Sequence, residues 1–327
     1  MDKIIALVFC FYLISCQSQD LPEESTETTP LMDELPTDIS RTTLVVLGNV
    51  QDAGSPHIAC KKDCCAALFE QVDPTRKVVS LGLIAPTSNS KYLFEASPDM
   101  TTQLKMLQQL LPAHESEVPD AIFLTHAHIG HYTGLMYLGK EAMNAQQVPV
   151  YAMPRMKEFL ANNGPWSQLV SLKNIELREL QDQQAVRLNE QISVIPFRVP
   201  HRDEYSETVG YTIVGPNKKA LFIPDIDKWE KWDTAIRAAI ATVDFAFLDA
   251  TFFDAAEINN RDISQIPHPF IIESMALFAD LPETERNKVH FIHLNPTNPA
   301  LDPDSEASQL IEKKGFQVAR LGDVFEL

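Results

Sequence analysis

The sequence predicts a layered α/β domain built on mixed β-sheets. Three observations carry this. Apolar, β-branched segments come in runs with helices between them and no strict β-α alternation, which points away from a barrel. Hydrophobic residues make up 45% of the 327, enough for a sizeable core. No Pro/Gly-rich linker interrupts residues 41–327, so they form one domain.

The domain opens on Thr42-Thr43-Leu44-Val45-Val46-Leu47, a β-branched apolar strand. Residues 77–86 and 91–96 form two more strands around a turn at Pro86-Thr87-Ser88-Asn89. Residues 101–111 have helical spacing, with apolar Leu104, Leu107, Leu110 and Leu111 on one face. Residues 120–124 form a short buried strand running into His126. A helix over 134–144, a strand over 148–152 and a helix over 155–163 follow. Strands then fall at 175–180, 192–199, 210–214 and 220–223. The last stretch gives helices at 232–242, 268–279 and 305–314, and strands at 245–248 and 289–294.

Ahead of the domain stand a signal and a spacer. Lys3 precedes the apolar run from Ile4 to Ile14, too short to span a bilayer, where about 20 apolar residues are needed. The run ends in Leu13-Ile14-Ser15-Cys16, which resembles the bacterial lipobox. That resemblance implies a signal peptide over 1–15, cleavage before Cys16 and lipidation of its sulfur. The expected product is an exported lipoprotein, membrane-anchored through lipid alone and facing the periplasm or cell surface. Residues 16–40 hold seven acids and no Lys or Arg. With so little apolar material they form an expected disordered acidic tether. They carry −7 of the net charge of −18, leaving −11 for the domain. That balance argues against nucleic acid as a partner, because nothing would neutralise phosphates. A small-molecule substrate is expected instead.

The chemistry concentrates in Thr125-His126-Ala127-His128-Ile129-Gly130-His131, where a strand ends. Residues two apart in extended chain point the same way, so His126 and His128 can share one metal. His131 lies where the chain has turned and can face a second ion. His201, Asp225 and His293 each follow an apolar strand. Together these six donors from four strand ends suit two ions about 3.5–4 Å apart with a bridging carboxylate. Imidazole and carboxylate fit one or two Zn ions, with Fe or Mn also compatible.

This pattern resembles the metallo-β-lactamase superfamily, whose motif is H-x-H-x-D-H followed by His, Asp and His. It is most similar to the PqqB-like branch, the relatives of pyrroloquinoline quinone biosynthesis protein B. The branch is indicated by Glu95-Ala96-Ser97-Pro98-Asp99 and by Asn295-Pro296-Thr297-Asn298-Pro299 after Phe291-Ile292-His293-Leu294. The resemblance implies an αββα sandwich of two mixed sheets flanked by helices, with metals at one edge. It implies one site at His126, His128 and His201, another at His131 and His293, and Asp225 between them, also orienting the attacking water. Asp249, Thr251, Asp254, Asn295, Thr297 and Asn298 become candidate pocket residues on the same ground. One position departs from the motif: Gly130 stands where the family has Asp. Asp52, in the loop after the first strand, is a candidate replacement; an Asx-turn role is the alternative.

Cys60, Cys64 and Cys65 lie within six residues. Family relatives carry a Cys-rich structural zinc site after this loop, there spaced C-x-C-x-x-C and here C-x-x-x-C-C. A zinc site would need a fourth ligand, with His57 and His268 as candidates. A disulfide from Cys60 to Cys64 or Cys65 is the competing expectation for an exported chain.

The functional expectation is a metal-dependent hydrolase acting on an ester, lactone, amide or phosphodiester. Fold alone does not choose among these. Two alternatives remain open: an iron-dependent PqqB-like oxidative enzyme, and a non-catalytic surface binding protein.

Overall fold

Two seven-stranded mixed sheets lie face to face between layers of helix. The computed structural model describes residues 39–258 and 266–327. The signal segment, Cys16 and almost all of the acidic tether fall outside these. No described helix is long and apolar enough to cross a membrane.

In chain order the elements are β1 (Thr43–Gly48), α1 (Asp63–Glu70), β2 (Ser80–Ala85), β3 (Ser90–Phe94), α2 (Met100–Leu110), β4 (Ala121–Phe123), α3 (Ile129–Tyr132), β5 (Val148–Ala152), α4 (Pro154–Asn162), α5 (Trp166–Ser171) and β6 (Ile175–Glu179). The second half gives β7 (Val186–Arg187), β8 (Ser193–Arg198), β9 (Val209–Val214), β10 (Lys219–Ile223), α6 (Ile236–Ala241), β11 (Phe245–Asp249), α7 (Ile271–Leu277), α8 (Glu283–Arg286), β12 (Val289–Ile292), α9 (Glu306–Lys313), β13 (Gln317–Val318) and β14 (Val324–Glu326). The first sheet runs β14-β1-β2-β3-β4-β5-β6 and the second β13-β12-β11-β10-β9-β8-β7. Each half of the chain builds one sheet, and β14 returns to close the first against β1. Pairing is antiparallel from β14 to β3 and parallel from β3 to β6. The second sheet repeats the division, parallel from β13 to β10 and antiparallel from β10 to β7.

Side-chain alternation along β1 sets the layers. Leu44 and Val46 enter the core between the sheets, while Val45 and Leu47 face the helices on the outside. Aromatic rings tie the two sheets together. Phe94 stacks on Phe123 at 5.1 Å, and Tyr211 of the second sheet meets Phe123 edge-on at 5.8 Å. The Tyr211 hydroxyl donates to the Leu124 carbonyl, and Val209 N–H donates to Thr125 O at 3.2 Å. These bonds pin the exit of β4, two residues before His126, to the opposite sheet.

Several elements differ from expectation. The helix over 134–144 is one turn of α-helix at α3 followed by a 3-10 segment, Thr133–Leu138. Backbone contacts decide this. The Gly134 N–H bonds Ala96 O at 2.8 Å, and a Cβ there would sit 2.2 Å from Ser97 O. A regular helix cannot pass that close approach. The helix over 232–242 shortens to α6 because Trp232 turns back to stack on Phe197 at 5.6 Å. The helix over 268–279 begins only at Ile271, since His268 is held by two buried carboxylates. The short β7, β13 and β14 and helices α5 and α8 have too few residues to show a period.

Lys91 on β3 is fully buried. Its Nζ donates to Gln108 Oε1 and to Ser116 O, the latter at 2.6 Å. Burial lowers its pKa to about 8, against the pull of Asp120 and Glu117. The folded state therefore binds fewer protons than the unfolded chain between that value and the ordinary 10.5. Stability from this residue rises with pH through that window. Urea unfolding of the wild type and Lys91→Met across pH 7–10.5 should show the wild type gaining relative to the variant above pH 8. A constant gap would contradict this origin.

Candidate metal centre

Six strand exits converge on one edge of the sandwich. β4 runs through Leu124 and Thr125 to His126, and the chain then turns into α3, which carries His131. β8 leads through Val199 and Pro200 to His201, and β10 through Pro224 to Asp225. β12 leads to His293, β11 ends on Asp249, and the loop after β1 brings in Asp52. That loop is stitched across both sheets. Val50 bridges Val78 on one side and Leu294 on the other, and the Gln51 N–H bonds Leu294 O at 2.9 Å.

Asp225 is the hub. It is 2% exposed. Its Oδ2 lies 3.1 Å from His201 Nε2, 3.3 Å from His126 Nε2, 3.8 Å from His128 Nδ1 and 3.9 Å from His131 Nε2. His201 Nε2 and His128 Nδ1 are 3.3 Å apart. On the other flank, Asp52 Oδ1 lies 2.9 Å from His293 Nε2 and 3.2 Å from His131 Nε2. The geometry therefore gives three overlapping donor groups that share Asp225. One is His126, His128, His201 and Asp225; the second is Asp52, His131, Asp225 and His293; the third is Asp225, Asp249, His268 and His293. All seven residues expected at the metals are brought together.

Each histidine turns its second ring nitrogen outward. His126 Nδ1 meets Thr125 Oγ1 at 2.9 Å, His201 Nδ1 meets Asp227 Oδ1 at 3.2 Å, and His293 Nδ1 meets Thr251 Oγ1 at 3.0 Å. His131 Nδ1 lies 3.2 Å from Glu95 Oε1, and His128 Nε2 lies 3.6 Å from Glu204 Oε2. Oxygen partners behind ligating imidazoles are what orients them toward an ion.

The donor set fits a divalent metal. His126 Nε2 is buried without a hydrogen-bond partner among the described residues, a costly state unless an ion uses it. Tetrahedral coordination with metal–nitrogen bonds of about 2.0–2.1 Å separates ligand atoms by about 3.3 Å. The distances from Asp225 Oδ2 to His201 and His126, and that between His128 and His201, match that spacing.

Electrostatics follow the same plan. Burial would raise the Asp225 carboxyl, but His201 and His268 hold it well below the usual range. Burial likewise opposes Asp52, which His131 and His293 keep well below it. Burial lowers His131, yet Asp52 and Glu95 hold it well above its ordinary value. His201 is lowered by burial and lifted by Asp225 and Asp227 to about 9. Burial and neighbouring His131 keep His126 well below, hence neutral.

Some placements were not expected. His268, a candidate fourth ligand for the cysteines, instead belongs to the histidine edge. Its Nδ1 lies 2.9 Å from Asp249 Oδ2 and 3.2 Å from Asp225 Oδ1. His57 does not join the sulfurs either; its Nδ1 meets Ile58 O at 2.8 Å. Cys60, Cys64 and Cys65 are free thiols with sulfurs within 4.8 Å of one another. Asp52 makes no Asx-turn: its carboxylate bonds His131 and His293. Asp249 and Thr251 lie behind His293, and Asn298 bonds the Ala250 carbonyl at 2.9 Å. Asn295 and Thr297 bond each other and border a cavity of about 440 Å³, shared with Cys60, Lys61 and Lys62. Asp254 only accepts from Ala256 N at 2.8 Å, as a turn residue does.

The residues that sequence reasoning missed are the outer partners Glu95, Thr125, Asp227 and Glu204. Glu95 is fully buried and holds a left-handed φ of +74°. Strain of that kind in a non-glycine residue clusters at functional sites. Its one sequence signal is an acid closing an apolar strand.

The family model described as "Beta-lactamase superfamily domain" matches residues 90–294, more than half of the chain. The chain belongs to the beta-lactamase superfamily. It is 24% identical over 311 residues to coenzyme PQQ synthesis protein B of Methylorubrum extorquens, covering 87% of this chain and 99% of that protein. Its fold is similar to Zn(2+)-bound PqqB from Methylobacterium extorquens, with TM-score 0.70 and 23% identity over 87% of this chain and all of that one. A diphosphatase from the PhnP family superposes with TM-score 0.59 at 21% identity, covering 88% of this chain and 97% of that one. The αββα sandwich expected from the sequence is the observed fold.

Glu95→Gln keeps the shape and removes the charge behind His131. It should weaken divalent-metal affinity about 10–100-fold, the usual effect of losing an outer partner. Competition against a chromogenic chelator measures it, and unchanged affinity would remove Glu95 from the site.

Proposed function

We propose that the chain is a metal-dependent hydrolase acting on an ester, lactone, amide or phosphodiester bond of a small molecule. The observation that carries this reading is the convergence of five imidazoles, each aiming one nitrogen at a centre organised by the buried Asp225. His126, His128 and His201 with Asp225 would hold one ion, and His131 and His293 with Asp225 would hold another. A divalent ion bound there acts as a Lewis acid and lowers the pKa of water from 15.7 to about 7. Zn is the ion favoured by the donor types, with Fe and Mn compatible.

The chain's own groups have separate tasks. Asp225 Oδ1 faces His268 Nδ1 at 3.2 Å and, as a carboxylate oxygen, keeps a second lone pair that would accept a hydrogen from water and fix its orientation. Thr125, Asp227 and Thr251 lock the tautomers of His126, His201 and His293. His268 stands over Asp225, its ring 5.6 Å from that of His201 and 6.0 Å from that of His293.

A hydrolase substrate panel, run with and without chelator, tests the reading. Activity should vanish on chelation and return with zinc. His128→Ala and Asp225→Asn should each lower turnover by about 10²–10⁴-fold, in line with loss of a proton-handling or water-positioning group. Full activity after metal removal would end the proposal. A second reading, an iron-dependent PqqB-like oxidative enzyme, draws on the curated relatives that match 87% of the chain. One Fe per chain with oxygen consumption would favour it, and two Zn with hydrolysis the first.

We also infer that Cys60, Cys64 and Cys65 hold a structural ion, since three free sulfurs crowd within 4.8 Å. Mass-spectrometric mapping should find these thiols alkylated only after chelation. Equal alkylation before chelation would reject that.

A further inference from the structure

The motif His126-Ala127-His128-Ile129-Gly130-His131 offers no carboxylate of its own. The structure explains what fills the gap. A Cβ built on Gly130 would lie 2.3 Å from Asp52 Cα, 2.5 Å from Asp52 Cβ and 3.0 Å from Asp52 O. No side chain fits at position 130 while the loop after β1 is in place. That loop is not free to yield. The Leu294 N–H bonds Asn49 O at 2.8 Å, the Val79 N–H bonds Val50 O at 2.8 Å, and the Asn49 amide bonds Ala319 O at 2.8 Å. So the loop delivering Asp52 is fixed to β12, to the approach to β2 and to the C-terminal segment at once.

The Asp52 carboxylate is spent on the centre. Its side chain bonds His131 and His293, both through Oδ1. Asp52, His131, Asp225 and His293 offer four ligand atoms within 4.8 Å of one another, two carboxylate oxygens and two imidazole nitrogens. This is a complete donor set for a divalent ion with O and N ligands.

We propose that Asp52, from the loop after β1, supplies the carboxylate ligand of the second ion, and that Gly130 is the glycine that admits it. Two residues 78 apart in sequence then form one functional unit. This rests on the metal-dependent reading above and adds a ligand to it. It makes position 130 a consequence of Asp52, so the two must be coupled.

Metal content per chain after zinc loading and dialysis tests the proposal without relying on turnover. Asp52→Asn, which keeps the side chain's shape, should hold one ion fewer than the wild type. Gly130→Ala should lose the same ion by displacing Asp52. The double variant Asp52→Ala/Gly130→Ala should lose no more than either single change. Cobalt loading gives a second readout, since loss of an oxygen ligand alters the visible absorption. Circular dichroism and the thermal midpoint confirm that each variant is folded. Wild-type metal content in Asp52→Asn overturns the inference, as does additive loss in the double variant. A wild type that takes up no zinc overturns the metal reading itself, a distinguishable result.

Discussion

A carboxylate buried at 2% exposure, with imidazoles of three different segments within 3.9 Å, is the constraint on which this structure turns. A lone buried charge is very costly, and it persists only when paired and hydrogen-bonded. Asp225 meets that demand only if the exits of β4, β8 and β10 arrive together. The two sheets must therefore pack in one relative position. The aromatic contacts Phe94–Tyr211 and Phe123–Tyr211 and the Tyr211 bond to Leu124 O enforce it.

The sandwich converts apolar packing into polar precision. The strands leading to His126, Asp225 and His293 end on buried apolar residues, whereas β8, leading to His201, ends on the exposed Arg198. Phe222-Ile223 precede Asp225, and Phe291-Ile292 precede His293, all fully buried. The ligand backbone is thus anchored by the core, and only its side chain reaches the edge. The outer oxygens of Thr125, Glu95, Asp227 and Thr251 complete the restraint from behind. The left-handed backbones of Glu95 and His293, with φ of +74° and +66°, are held against their intrinsic preference by that surrounding structure.

Much of this was legible in the chain. The strands over 43–48, 148–152, 210–214 and 219–223 show as apolar runs, because most of their positions are buried, and in β1 all of them are. The helix expected over 305–314 is α9, which Ser305 caps by accepting from Ser308 N. The segment after His131 was misread as helix because Leu135 and Leu138 keep a near-helical spacing. Its backbone is bent by Ala96 and Ser97, thirty-odd residues away. Helix α1 was invisible for a different reason: its one buried residue is Cys65.

What the sequence by itself determined was the list of ligand types and the strand ends that carry them. Spacing of two in extended chain fixes His126 and His128 on one side, and that is a local property of the backbone. Only the tertiary structure decided the rest. It moved His268 to Asp249 and Asp225, placed Glu95 behind His131, and put Asp52 against Gly130. Those partnerships join residues 19 to 78 positions apart in sequence. No local periodicity encodes such distances; they follow from how two sheets stack and where their strands stop.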